Sequence, residues 1–204
     1  LGDGAAAFLV SDAGVAAQFE GSYSVFQEMH ENWRSDKDVF VRSWEERFIR
    51  EVGYTRVIPQ SIGVALKHCN ITAKDIAKAA IYAPDPRLLA TVAGKIGFEP
   101  FSQLVDPMFM TVGNTGAALS LMMLVAALED ANPGDRLMCV SYGDGCDVLI
   151  MKATEGITKI KDRRAIKRHL ESKKMIPNYL KYIQWRGLME TDPPPPPPLN
   201  HISV

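Results

Sequence analysis

Residues 117–128 carry no charge, and Ser120 is the single polar side chain among these twelve positions. A helix over this stretch is apolar on almost every face, so it must be enclosed on all sides, as only a multilayered fold permits. It is well short of the ~20 residues that cross a bilayer, so no membrane span is expected. At 204 residues and 47% hydrophobic content the chain is long enough for one large domain or two small ones with a core that buries such a helix.

Strand and helix signals alternate around it, which predicts a layered α/β fold. Residues 5–10 read as a strand, and residues 15–23, after the Ser11-Asp12-Ala13-Gly14 turn signals, as its hairpin partner. Val39, Phe40, Trp44, Phe48 and Val52 recur at helical spacing and predict an amphipathic helix over 39–54. Pro59 then requires a break or a first-turn position, and Ile62, Leu66 and Cys69 suggest a second helix ending near Asn70. A short buried strand is expected over 79–83 and a helix over 87–96 closed by Gly97. Residues 109–112 could form a further strand, and 136–141 and 148–152 are strands flanking Gly143-Asp144-Gly145. The N-terminus has neither a basic region nor a Met, so it is no signal peptide and reads as a chain entered in mid-strand.

Three regions follow from composition: a body over 1–153, a basic helical extension over 154–192 and a proline-rich tail over 193–204. The net charge is -1, but the acidic excess lies in the body and the basic excess after it. A protein that coats nucleic acid needs a basic surplus that this molecule lacks, so no nucleic-acid partner is expected. Residues 159–174, rich in Lys and Arg, suggest a basic helix that is either a phosphate-binding strip or a solvated face. The prolines at 193–198 predict an extended rod serving as linker, spacer or docking strip. Cys69, Cys139 and Cys146 are too few and too scattered for a disulfide framework, and no metal site is expected, which points to a reducing, cytoplasmic setting.

Two segments could carry chemistry. Gly113-Asn114-Thr115-Gly116 opens the apolar helix, where an Asn amide can donate to a carbonyl oxygen as enolate chemistry requires, or can simply cap the helix. At Gly143-Asp144-Gly145-Cys146 a glycine N–H can form one arm of an oxyanion hole, or the segment is a tight β-turn. Cys146 has no base beside it, and His30, His68, His169 and His201 sit in no cleft-forming motif. Hydrolase, nucleotide-loop and zinc-helix signatures are missing from the sequence. Gly2-Asp3-Gly4 before an apolar run echoes Gly143-Asp144-Gly145 before another, the mark of an internal duplication or of ordinary turn chemistry.

The order Gly2-Asp3-Gly4-Ala5-Ala6-Ala7, Gly113-Asn114-Thr115-Gly116-Ala117-Ala118, Pro133-Gly134-Asp135-Arg136 and Tyr142-Gly143-Asp144-Gly145 resembles the thiolase superfamily. It is most similar to the 3-oxoacyl-(acyl carrier protein) synthase III and hydroxymethylglutaryl-CoA synthase branch. The resemblance covers residues 1–153. It implies a thiolase-like layered α/β/α/β/α fold, here the end of the first half plus the whole second half. It further implies an acyltransferase that forms or cleaves a carbon–carbon bond between acyl thioesters, with a nucleophilic Cys upstream of residue 1. Coenzyme A thioesters, or acyl groups on a carrier protein, would be substrates, with no covalently bound cofactor. The implied site residues are Asn114, polarising a thioester carbonyl, Gly145 through its N–H, and Tyr82 where the family usually has His.

The substitution at Tyr82 matters, because a phenol with ordinary pKa near 10 donates well but is a poor base at neutral pH. A non-catalytic thiolase-like subunit that scaffolds a partner is the alternative. Homodimers or larger complexes are implied by the family. Residues 179–188 followed by prolines resemble the ends of members that work with a small zinc-ribbon/OB-fold partner protein.

Overall fold

The computed structural model describes residues 2–190 and residue 192. In chain order it contains β1 (Ala17–Phe26), the two-residue strands β2 (Asn32–Trp33) and β3 (Arg42–Ser43), α1 (Glu46–Phe48), a π-helical stretch Ile49–Tyr54 and α2 (Thr55–His68). There follow β4 (Lys78–Ile81), α3 (Pro86–Ile96), α4 (Ala118–Asp130), β5 (Arg136–Tyr142), β6 (Gly145–Ala153), α5 (Ile166–Glu171) and α6 (Tyr179–Trp185).

One mixed sheet runs β1-β6-β5-β4, with β4 and β5 parallel and the other neighbours antiparallel. A single parallel bridge from Ala79 to Leu104 extends it past β4. Strand side chains alternate between faces, and both faces of the central strands are dry. Met138, Val140, Val148 and Ile150 join Ile58, Ile62 and Val92 of α2 and α3 in one core. Leu137, Cys139 and Ala80 join Leu119, Met123 and Ala127 of α4 in the other. The unit is therefore helix, sheet, helix, and the apolar stretch at 117–128 is helical and largely enclosed, as its composition requires.

The residues divide into two compact units at Leu170. The first unit includes much of the expected extension, because Ile157 is fully buried and Ile160, Ile166 and Leu170 pack against the α4 core. That docking breaks the expected basic helix at 159–174 into a 3-10 turn, Glu155–Ile160, and the short α5. Lys167 pairs with Asp130 near the C-terminus of α4, where a cation is favoured. In the second unit Asn178 caps α6, Tyr179 and Tyr182 stack at 5.9 Å, and Lys181 lies 4.9 Å from the Trp185 ring centre. The proline rod at 193–198 lies outside the described residues.

Four expectations are corrected. No strand forms over 5–10 and no hairpin with 15–23: Gly2 N donates to the Asn114 carbonyl at 2.8 Å and Ala6 packs in the α4 core, while β1 pairs with β6 instead. The helix expected from residue 39 begins only at Glu46, where the Glu45 carboxylate accepts from the N–H groups of Arg47 and Phe48. Val39, Phe40 and Trp44 are exposed around the β2–β3 pair. Residues 109–112 are turns, since the Met108 carbonyl takes the N–H groups of Thr111, Val112 and Gly113. Pro59 sits inside α2 rather than breaking it. A helix-interior proline orphans the carbonyl four residues back, and Lys95 Nζ donates to that carbonyl, Thr55 O, at 3.0 Å. Among the described residues no helix is long and apolar enough to cross a membrane.

Candidate active site

Parallel pairing of Ile81 with Val140 aligns the carboxyl ends of β4 and β5 at one edge of the sheet. Tyr82 is the next residue, its N–H still bonded to the Val140 carbonyl at 2.9 Å. The chain then turns away, because Asp85 caps α3 by accepting from Arg87 N (2.8 Å) and Leu88 N (3.0 Å), with Pro86 in the first turn. The Tyr82 ring is left half-buried at the strand end.

Asn114 arrives from the other side of the sheet. Gly113 (φ 88°) and Gly116 (φ 64°), in backbone conformations that glycine adopts freely, fold the loop ahead of α4 so that Asn114 Nδ2 donates to Tyr82 Oη at 3.2 Å. Asn114 Oδ1 accepts the Gly116 N–H at 2.8 Å, which fixes the amide orientation. Asn114 therefore does not cap α4 directly. Its bonding leaves one amide N–H unspent, and among the described residues the Tyr82 hydroxyl proton meets no acceptor. Two donors thus stand side by side.

Behind Tyr82 lies a set of groups that sequence reasoning missed. Tyr54 is fully buried, and its hydroxyl donates to the Tyr82 carbonyl at 2.8 Å. The Tyr142 ring meets it edge-on, with centroids 5.5 Å apart, and the Tyr142 hydroxyl donates to the Glu31 carboxylate. Burial pushes both phenols above their ordinary pKa, so each stays a neutral donor. Burial, and secondarily the charge of Asp144, raises Glu31, while the Tyr142 hydrogen bond opposes them. These residues come from four separate segments, and no spacing rule links them. The only local sign was Gly53 inside a helical pattern, a position that often marks close packing.

Gly145 has φ 131° and pairs with Phe26 of β1. A Cβ there would fall on the Val25 carbonyl oxygen, so glycine is required by packing at this bend. Its neighbour Cys146 pairs with Tyr142, which is how this segment connects to the Tyr82 side. Burial pushes the Cys139 and Cys146 thiols up to about 12, so neither forms a thiolate at neutral pH. Cys69 follows the far end of the 14-residue α2, about 20 Å of helix from Tyr54. His30 lies 3.4 Å from Asp144, and His68 packs edge-on against Tyr23. Among the described residues no group of three or more His, Cys, Asp or Glu could hold a metal ion.

No family model matches the chain. The hydroxymethylglutaryl-CoA synthase of Methanopyrus kandleri is 30% identical over 164 residues, 78% of this chain and 46% of that protein. The same enzyme from Thermococcus gammatolerans is 29% identical over 91% of this chain and 54% of its own length. The solved 3-oxoacyl-[acyl-carrier-protein] synthase III of Aquifex aeolicus superposes with a TM-score of 0.60 at 14% identity, over 70% of this chain and 46% of that one. In sequence the chain is similar to hydroxymethylglutaryl-CoA synthases, and it shares the thiolase-like fold of solved 3-oxoacyl synthase III and hydroxymethylglutaryl-CoA synthase structures. A hydroxymethylglutaryl-CoA synthase solved with CoA shares the fold, with a TM-score of 0.57 at 16% identity over 76% of this chain and 43% of that one. This thiolase-like chain spans about half the length of the curated relatives it matches.

Proposed function

We propose that the chain supplies the C-terminal half of an acyltransferase that forms or cleaves a carbon–carbon bond between acyl-CoA thioesters. The observation that carries this is the pair of donors, Tyr82 Oη and Asn114 Nδ2, 3.2 Å apart at the carboxyl ends of parallel strands. In a Claisen-type step the thioester oxygen gains negative charge as the α-carbon becomes nucleophilic and again as the tetrahedral adduct forms. Fixed donors aimed at that oxygen lower the barrier because they need no reorganisation when the charge appears. Tyr82 serves as a donor here, and proton abstraction falls to another group. Gly145 N–H is assigned to the second oxyanion, from its place in the family motif.

The attacking sulfur comes from polypeptide outside residues 1–204. The two high thiol pKa values and the remoteness of Cys69 support this assignment. CoA thioesters are the substrates, with no cofactor held covalently. The enzyme works as a homodimer or larger complex in the cytoplasm. Exposed Tyr179, Leu180 and Trp185 on α6 offer apolar surface to a zinc-ribbon/OB-fold companion protein.

Asn114→Ala in the complete enzyme tests the reading. Turnover of acyl-CoA should fall about 100-fold or more with an unchanged melting transition. Undiminished turnover in folded protein removes the assigned role. A scaffolding subunit is the competing reading, favoured by Tyr82 standing where the family has His. It predicts no condensation or thiolysis by the complete parent protein at any acyl-CoA concentration.

A further inference from the structure

Behind Tyr82 the fold gathers a carboxylate and two phenols that the condensation step does not itself consume. They meet at Gly53, in the π-helical stretch that precedes α2. A Cβ at Gly53 would collide with the Tyr142 hydroxyl and would lie 2.7 Å from Met29 Sδ and 2.9 Å from Glu31 Oε1. A π-helical turn is rare, and a helical glycine adds a cost in backbone entropy. Both local costs are accounted for if the notch exists to admit the Tyr142 hydroxyl and its carboxylate partner. A helix packed only for burial would gain from alanine here.

The contacts run in one direction from that notch. Glu31 accepts from the Tyr142 hydroxyl, the Tyr142 ring stands at 87° to Tyr54, and the Tyr54 hydroxyl holds the main chain of Tyr82. Tyr54 is fully buried and Tyr142 half-buried against it, which limits the freedom of both rings. The geometry points to Glu31 as a positioning residue: by seating Tyr142 against Tyr54 it fixes the backbone from which the Tyr82 hydroxyl reaches Asn114. This rests on the condensing-enzyme reading, because that reaction needs the hydroxyl at one fixed point. Small displacements of a catalytic donor have large kinetic effects, and they act on the chemical step more than on substrate binding.

The test uses Glu31→Ala, Glu31→Gln, Tyr142→Phe and the double variant Glu31→Ala/Tyr142→Phe in the complete enzyme, assayed with acetyl-CoA. Glu31→Ala and Tyr142→Phe should each lower kcat about tenfold while KM stays within about twofold. The double variant should lose no more than either single, since both changes cut the same link. Glu31→Gln, which keeps an acceptor oxygen, should recover most of the rate. A normal kcat in Tyr142→Phe, or losses that multiply in the double variant, overturns the assignment. If Glu31→Ala fails to fold, Tyr142→Phe, with its ring intact, carries the test. Asn114→Ala run alongside separates the two failures. A silent Asn114→Ala sinks the condensing reading, whereas an inactive Asn114→Ala beside a silent Tyr142→Phe sinks only the role of Glu31.

Discussion

The two faces of the sheet are packed to different ends. On the α4 face the contacts are between Leu119, Met123, Leu137, Ile157 and their neighbours, and the polar groups among them include the buried Ser120, whose carbonyl lies 3.6 Å from the Cys139 thiol. On the α2–α3 face an equally dry core takes in Tyr54 and borders Tyr142, and each phenol is committed to a named acceptor. A face that only excludes water needs matched volume, and methionine and leucine supply it. A face that must hold a hydroxyl at one point needs directional partners, because a buried polar group without one is costly. Asn114 lies in the loop that opens the helix of the first face and Tyr82 packs against both cores, so the candidate site forms where the two kinds of packing meet at the strand ends.

Two substitutions sharpen this contrast. Met123→Ala removes a fully buried side chain from the α4 face, and urea unfolding should show a loss of about 3 kcal/mol. A loss below about 1 kcal/mol would mean that α4 is not packed as described. Tyr54→Phe on the opposite face keeps the ring and deletes one hydroxyl. Stability should fall by only about 1 kcal/mol. Its larger signature should be kinetic, a several-fold drop in kcat as the Tyr82 main chain loses its donor. If the two variants proved alike, both affecting stability alone, the division between the faces would be wrong.

What the sequence made legible was the part governed by local rules. The helix expected over 87–96 and closed by Gly97 is α3, which starts one residue earlier at Pro86 and ends at a left-handed Gly97. The apolar run fixed α4, and Gly143-Asp144-Gly145 the bend between β5 and β6. The misreadings came where tertiary contacts decide. Residues 39–44 have helical spacing but lie around a two-residue strand pair, and Pro59 sits inside α2, where Lys95, distant in sequence, donates to the Thr55 carbonyl that the proline leaves without its helical partner. In the site, Asn114 is legible from the glycine-flanked start of the apolar helix and Tyr82 only through family resemblance, and the fold brings the two together. Glu31, Gly53 and Tyr54 carry no motif, Tyr142 enters only as the first residue of Tyr142-Gly143-Asp144-Gly145, and the proximity of the four is a property of the fold alone.

Joint polarisation of a thioester carbonyl by Tyr82 and Asn114 is read most directly by infrared spectroscopy of that carbonyl. With a non-reacting acyl-CoA analogue bound to the complete enzyme, the C=O stretch should lie at lower frequency in the parent than in Tyr82→Phe or Asn114→Ala. Each variant should recover part of the shift toward the value in water-poor solvent. A stretch that is the same in all three proteins, with the analogue bound in each, would contradict it.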